Sequence, residues 1–323
     1  MSARAWFAFT SVSVLWGIPY LFIKVAVDDG MPPAFLAWVR VLLAAAVLLV
    51  LAWRAGVLGS VRGKMRWIAA YAVLEISIPF PLIAAGEQDV SSSLAAILIA
   101  TVPLMIAVLA MRFEPSERVR GRRLVGLFVG FGGVVALVGI DVAGRPSELI
   151  GAGLVLIAAV GYSAGPMILN RQVREVDPRA IMGPALGVAA LVLTPFALLD
   201  VPSQTPSGEA LGAVVVLGLL CTALAFVMHI SLLMEVGPGR AAVITYVAPV
   251  VAVGLGVAVL GERPGAGAVA GLLLILAGSW LSTDGRVPPG LGATVTRIRT
   301  RRRGGEPNRP AGVVESNRFT APS

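Results

Sequence analysis

The sequence predicts an all-α membrane protein of ten transmembrane helices, built as two five-helix inverted repeats. Three observations predict it. The 323 residues are 57% hydrophobic and 14% charged, with a mean hydropathy of +0.87, which is too apolar for a soluble protein of this length. Ten apolar runs are separated by short breaks, many marked by Gly, Pro or charge. The chain also repeats itself at an offset of 146 residues (162 minus 16): Trp16 and Lys24 register with Tyr162 and Asn170, and Ala96, Thr101 and Pro103 with Ala242, Val247 and Pro249. One residue fewer places Glu117 and Gly126 on Glu262 and Gly271. An odd number of spans used twice must lie in the bilayer in opposite orientations, a plan found in secondary transporters, whose solute sites lie where the halves meet.

A helix of about 20 apolar residues crosses ~30 Å of hydrocarbon. The first run, Ala5 to Val27, already has that length and lacks a small-residue cleavage site after a short apolar core, so it is a span and not a cleavable signal peptide. It closes at Asp28-Asp29-Gly30-Met31-Pro32. Pro33 to Trp53, Trp67 to Ala85, Ser91 to Met111 and Leu124 to Ile140 complete the first repeat, residues 1–142. Gly151 to Asn170, Ala180 to Leu199, Ala210 to Met234, Ala241 to Leu260 and Gly267 to Thr283 make the second, residues 143–284, with Gly237-Pro238-Gly239 as a break. Loops this short force neighbouring helices to run antiparallel. Gly126 with Gly130, and Gly267 with Gly271, give small-residue faces on the fifth and tenth runs, suited to close packing within the chain or to a homodimer.

The net charge of +8 is unevenly placed. Residues 285–323 hold eight Arg and two Glu, or +6, leaving 18 basic and 16 acidic side chains, or +2, for the remainder. That balance excludes a nucleic-acid-binding domain in the membrane portion. The tail, with Pro288, Pro289 and Arg301-Arg302-Arg303, reads as a disordered cytoplasmic extension. With both termini inside, the inner segments before the tail carry 14 Arg or Lys and the outer loops only Arg145 and Arg263, which satisfies the positive-inside rule for an inner (plasma) membrane protein. The single cysteine, Cys221, lies in an apolar run, so no disulfide framework or cysteine metal cluster is expected. No cofactor is expected either, and the absence of a G-x-x-x-x-G-K-[ST] loop excludes ATP hydrolysis by the P-loop route.

Trp16-Gly17 followed by Phe22 and Lys24, then Pro33, Phe35 and Arg40, then Ala95-Ala96 and Pro103, resemble the EamA-type family of the drug/metabolite transporter superfamily. Ala241-Ala242, Pro249, Gly261-Glu262 and Gly271 repeat the later part of the pattern, and the resemblance covers about residues 5 to 283. It implies a ten-helix inverted-repeat carrier that moves small organic solutes, often outward. Members handle amino acids, other metabolites and toxic compounds, so the solute is not fixed. Arg40 has Leu186 as its counterpart, so the halves differ in charge.

Ionisable side chains are expensive inside a bilayer and face a cavity or a partner. By rise per residue, Arg40 and Glu75 both fall near the midplane and are expected to meet, either as a structural pair or as a gate opened by solute or proton. Trp16, Tyr20 and Lys24 follow at intervals of four along one helix face, two rings and an ammonium that suit a carboxylate or an aromatic solute; Lys24 can instead snorkel to Asp28. Tyr162, Asn170 and Tyr246 are further expected lining, with Arg40 and Lys24 meeting an anionic or zwitterionic solute such as an amino acid. His229, the single histidine, is a second coupling candidate behind Glu75, on whose charge burial and Arg40 act in opposite senses. Pro103 and Pro249 remove backbone hydrogen bonds at matched positions and are expected pivots.

Two other classes are considered. Gly161-Tyr162-Ser163-Ala164-Gly165 matches the G-x-S-x-G pattern of serine hydrolases, which with His229 suggests an intramembrane hydrolase, but the motif lies within an apolar helix and not on a strand-to-helix turn. A channel-like facilitative permease lacks a recognisable filter sequence. The expectation is therefore a secondary exporter of small organic solutes, working by alternating access with proton coupling open, and not an enzyme.

Overall fold

The computed structural model describes residues 2–113, 121–236 and 241–282. The predicted tail, Glu117 and the Gly237-Pro238-Gly239 break lie outside the described residues. Among the described residues there is no strand, and the helices follow the apolar runs. Eight are long and apolar enough to cross a membrane: α1 (Ala3–Asp28), α2 (Pro33–Arg54), α3 (Met65–Asp89), α4 (Ser92–Leu109), α5 (Arg122–Val142), α6 (Pro146–Gln172), α7 (Pro178–Leu199) and α8 (Gly208–Val236). Two apolar helices are shorter, α9 (Ile244–Leu260) and α10 (Ala266–Ser282), each of 17 residues. This is a multi-span membrane protein, with eight long spans and two short helices where ten full spans are expected.

Several helices are interrupted, and proline marks most of the interruptions. α1 breaks at Ile18 before Pro19, and α4 at Ala100–Thr101 before Pro103. In α3, Pro79 and Pro81 leave the carbonyls of Glu75 and Ser77 without their usual donors, and the chain widens into a π-helical turn over Val73–Ser77. α8 widens likewise over Val216–Leu224. Shifting 73–77 by 146 gives 219–223, inside that second π segment. The two expected pivots differ: Pro103 follows a break, whereas Pro249 sits inside an uninterrupted helix.

Glycine seams bring helix backbones into contact. A Cβ at Gly126 would lie 2.7 Å from the Gly278 carbonyl oxygen, and one at Gly133 would lie 2.9 Å from that of Gly271. The small-residue faces of α5 and α10 are thus engaged with each other inside the chain, so they do not supply a contact between chains. Gly86 of α3 and Gly151 of α6 meet in the same way, each Cβ position 2.8 Å from the other's carbonyl oxygen. Gly218 brings α8 against α2, 3.1 Å from the Arg40 carbonyl oxygen. Between these seams lie apolar clusters, one around Val41, Leu48, Ile68 and Leu186 and another around Leu98, Leu104, Leu137 and Val155.

Two carboxylates cap helices they do not belong to. Gly261, at φ +66°, ends α9 and turns the chain so that Glu262 accepts from the backbone N–H groups of Ser92 (2.8 Å) and Ser93 (3.0 Å) and from the Ser93 hydroxyl. Asp141 accepts from the N–H groups of Gly267 (3.1 Å) and Ala268 (2.6 Å) at the start of α10. Each satisfies donors that a helix start leaves unpaired and places negative charge where the helix dipole favours it.

Replacing Gly278 with Val drives a side chain into the backbone of α5, so we expect a clear loss of thermal stability, on the overpacking scale of about 1–3 kcal/mol. Gly132, one face away on α5, has open space around its Cβ position, and Gly132→Val is expected to melt like wild type. Heating each detergent-purified variant and following its monodisperse elution peak separates the two outcomes.

Candidate functional site

Arg40 sits in the middle of α2 and is 8% exposed. Its Nε donates to the Thr222 hydroxyl at 3.0 Å, and its guanidinium carbon lies 4.1 Å from the centroid of the Phe80 ring. The Thr222 hydroxyl donates in turn to the Leu217 carbonyl at 2.7 Å, five residues back along the π segment of α8. Its proton is thereby committed and its lone pair faces Arg40. One edge of the guanidinium and one face are fixed, and the two terminal nitrogens make no hydrogen bond among the described residues. Tyr20, Tyr162, Cys221 and Glu87 lie within electrostatic reach of this charge. The hydroxyls of Tyr20 and Tyr162 also make no hydrogen bond among the described residues.

The expected Arg40–Glu75 pair does not form. Glu75 projects from the π turn of α3 toward α6, where its carboxyl fills the space beside Gly165 that any side chain there would occupy. Its Oε2 is buried without a hydrogen-bond partner, with Tyr71 and Tyr162 within electrostatic reach. Height along the helix brought Arg40 and Glu75 to one level; the extra residue in the π turn alters the direction in which Glu75 points.

Lys24 snorkels and also reaches inward. Its ammonium lies 3.0 Å from the Asp28 carboxylate and donates to the main-chain oxygen of Glu87 at 2.7 Å. Glu87 itself was not foreseen. It is fully buried, and neither carboxylate oxygen has a hydrogen-bond partner. The Gly86–Gly151 seam presses this turn of α3 onto α6 and closes it from outside. Hydropathy predicts the end of the third span at Ala85, which puts Glu87 in a loop. The signal against that was Ser91, a helix-cap residue that leaves room for no loop beyond Val90.

The remaining candidates divide into a second group and an outlier. Trp16 packs on Phe226 and lies 4.6 Å, ring to ring, from His229, whose Nδ1 is buried without a partner. Tyr246 shares the apolar cluster of Trp16 and directs its hydroxyl at the Ser279 carbonyl, 3.4 Å away. Asn170 is exposed near the end of α6, eight residues or about 12 Å along the helix from Tyr162, and does not join the Arg40 group. The Ser163 hydroxyl donates to the carbonyls of Ala159 (2.7 Å) and Val102 (3.3 Å), and no Ser163–His229 hydrogen bond exists among the described residues. The hydrolase arrangement is absent, and the small residues of that motif serve packing against α3 and α4.

Comparison with known proteins fits this architecture. The model of the EamA-like transporter family matches residues 4–139 and again 149–283. An Escherichia coli protein described as an uncharacterized inner membrane transporter, YedA, is 30% identical over 260 residues, covering 79% of this chain and 82% of its own. A Salmonella typhimurium protein described as a "Probable amino-acid metabolite efflux pump" is 27% identical over 313 residues, 88% of this chain and 96% of its own. Among solved structures, one crystal structure of a protein superposes with a TM-score of 0.61 at 21% identity, over 93% of this chain and 99% of that one, which shows a shared fold. With both halves of the chain matched, this protein belongs to the EamA-like transporter family.

Proposed function

We propose that this membrane transporter is a secondary carrier that exports small zwitterionic solutes of the amino-acid class by alternating access. The observation that carries this reading is the grouping around Arg40 of polar groups of both signs without hydrogen-bond partners: its own terminal nitrogens, the buried Glu87 carboxylate, and the Tyr20 and Tyr162 hydroxyls. Polar groups buried in an apolar bundle without partners are unfavourable, and a solute that is itself both anion and cation satisfies them together. The relative described as an amino-acid metabolite efflux pump supports the solute class and the direction.

Two inverted repeats, residues 1–142 and 143–284, form the carrier in this reading, with residues 285–323 as a cytoplasmic tail. The twofold family match and the matched π segments support that division. So does the packing, in which α2 lies on α7 and α5 on α10, each helix against its own counterpart. The 14 to 2 distribution of basic residues supports cytoplasmic termini in an inner (plasma) membrane. Glu75 is the proposed coupling carboxyl, because it is partly buried at a π turn with an unpartnered oxygen; His229, its ring tilted against that of Trp16, is the weaker one.

Uptake of labelled amino acids into proteoliposomes, with and without an imposed pH gradient, tests the reading. We expect saturable transport that falls about tenfold or more in Arg40→Ala, and that Arg40→Lys does not restore, since lysine lacks the planar fork. Glu75→Gln is expected to remove the response to the pH gradient; transport by this variant that still follows the gradient would overturn the coupling role. For orientation, on a Cys221→Ser background, an impermeant maleimide added outside cells should label Ser203→Cys and leave Ser60→Cys untouched. The reverse pattern would invert the topology.

A further inference from the structure

Glu87 stands out among the buried polar groups. Its side chain is fully buried, and both carboxylate oxygens lack a hydrogen-bond partner. The charged groups within electrostatic reach are Lys24, Arg40, Asp28 and Glu262. None of them neutralises it directly. Lys24 lies against Asp28 and donates to the main-chain oxygen of Glu87, leaving the carboxylate unmet. Glu262 is engaged with the start of α4. Arg40 gives its Nε to Thr222 and its face to Phe80. An uncompensated carboxylate in this position calls for a cation that arrives with the cargo. Tyr20 lies within electrostatic reach of both Glu87 and Arg40, which places the three around one region of the bundle.

We propose that Glu87 receives the ammonium group of a zwitterionic amino acid whose carboxylate rests on the terminal nitrogens of Arg40. The assignment rests on the carrier reading above and adds to it the residue that recognises the amine. Two features favour an organic ammonium over a metal ion: no cluster of three or more His, Cys, Asp or Glu suited to a metal exists among the described residues, and the surrounding rings of Tyr20, Tyr162 and Phe80 suit an organic body. Tyr20 would lie beside the solute between its two charged ends.

The test compares phenylalanine with 3-phenylpropanoate, which is the same molecule without the ammonium, in proteoliposomes of the full chain. The wild-type protein is expected to favour phenylalanine by about tenfold or more, because a site built to pair a polar group rejects an analogue lacking it. In Glu87→Gln that preference should fall to within about twofold through loss of phenylalanine transport, and Glu87→Asp should retain it with a raised KM. A readout that needs no variant is modification of Glu87 by dicyclohexylcarbodiimide, followed by mass spectrometry, which phenylalanine should slow and 3-phenylpropanoate should not. If a Glu87→Gln protein eluting like wild type keeps the full preference, or if both compounds protect Glu87 equally, the ammonium assignment is overturned while the carrier reading stands. Glu87→Gln that keeps the preference but loses its response to a pH gradient would make Glu87 a proton site and also overturn the assignment. A wild-type protein with no saturable transport of any amino acid overturns the carrier reading, and the assignment with it.

Discussion

Arg40 keeps its charge at any physiological pH, and the bundle has to carry that charge in the middle of α2. It does so with two contacts of different kinds, a hydrogen bond from Nε to Thr222 and a ring face from Phe80. Both depend on irregular backbone. Thr222 faces Arg40 because its proton is taken by a carbonyl five residues back in a π segment, and Phe80 lies between the two prolines of α3. Gly218 then allows α8 to approach α2 closely enough for the Thr222 contact. Irregular turns of this type are tolerated at membrane depth where they are enclosed by protein, and the enclosed region here is the one that collects the unpartnered polar groups.

Much of the fold was legible because length and apolarity set where a helix can cross. Boundaries read from sequence moved by at most five residues, at the start of α6. Direction around the helix was not legible: rise per residue predicts Arg40 and Glu75 at one level, but an unrecognised π turn redirects Glu75 toward Gly165. The loss of Glu87 has a different cause. A hydropathy cut at Ala85 discards the polar end of a span, and a charged residue buried at that end is the one such a cut is least able to keep.

Asn170 shows what repeat logic can and cannot carry. The 146-residue register pairs it with Lys24 in the sequence, but the two side chains have different surroundings. Lys24 reaches a main-chain oxygen of α3, while Asn170 stands exposed near the far end of α6. The aromatic candidates also divide, Tyr20 and Tyr162 lying near Arg40 and Trp16 and Tyr246 in a cluster of their own.

The α5–α10 seam sets a limit on mechanics. Ridges of side chains can slide past one another by changing rotamers, but Gly126 and Gly278 meet main chain to main chain and have no rotamers to change. Asp141 ties the same two helices again at the start of α10. Any rocking of the bundle must therefore carry α5 and α10 together as a stator. α5 itself widens into a π turn over Val138–Val142, at the end that Asp141 ties to α10, so the freedom to move is left to the other broken or widened helices, α1, α3, α4 and α8.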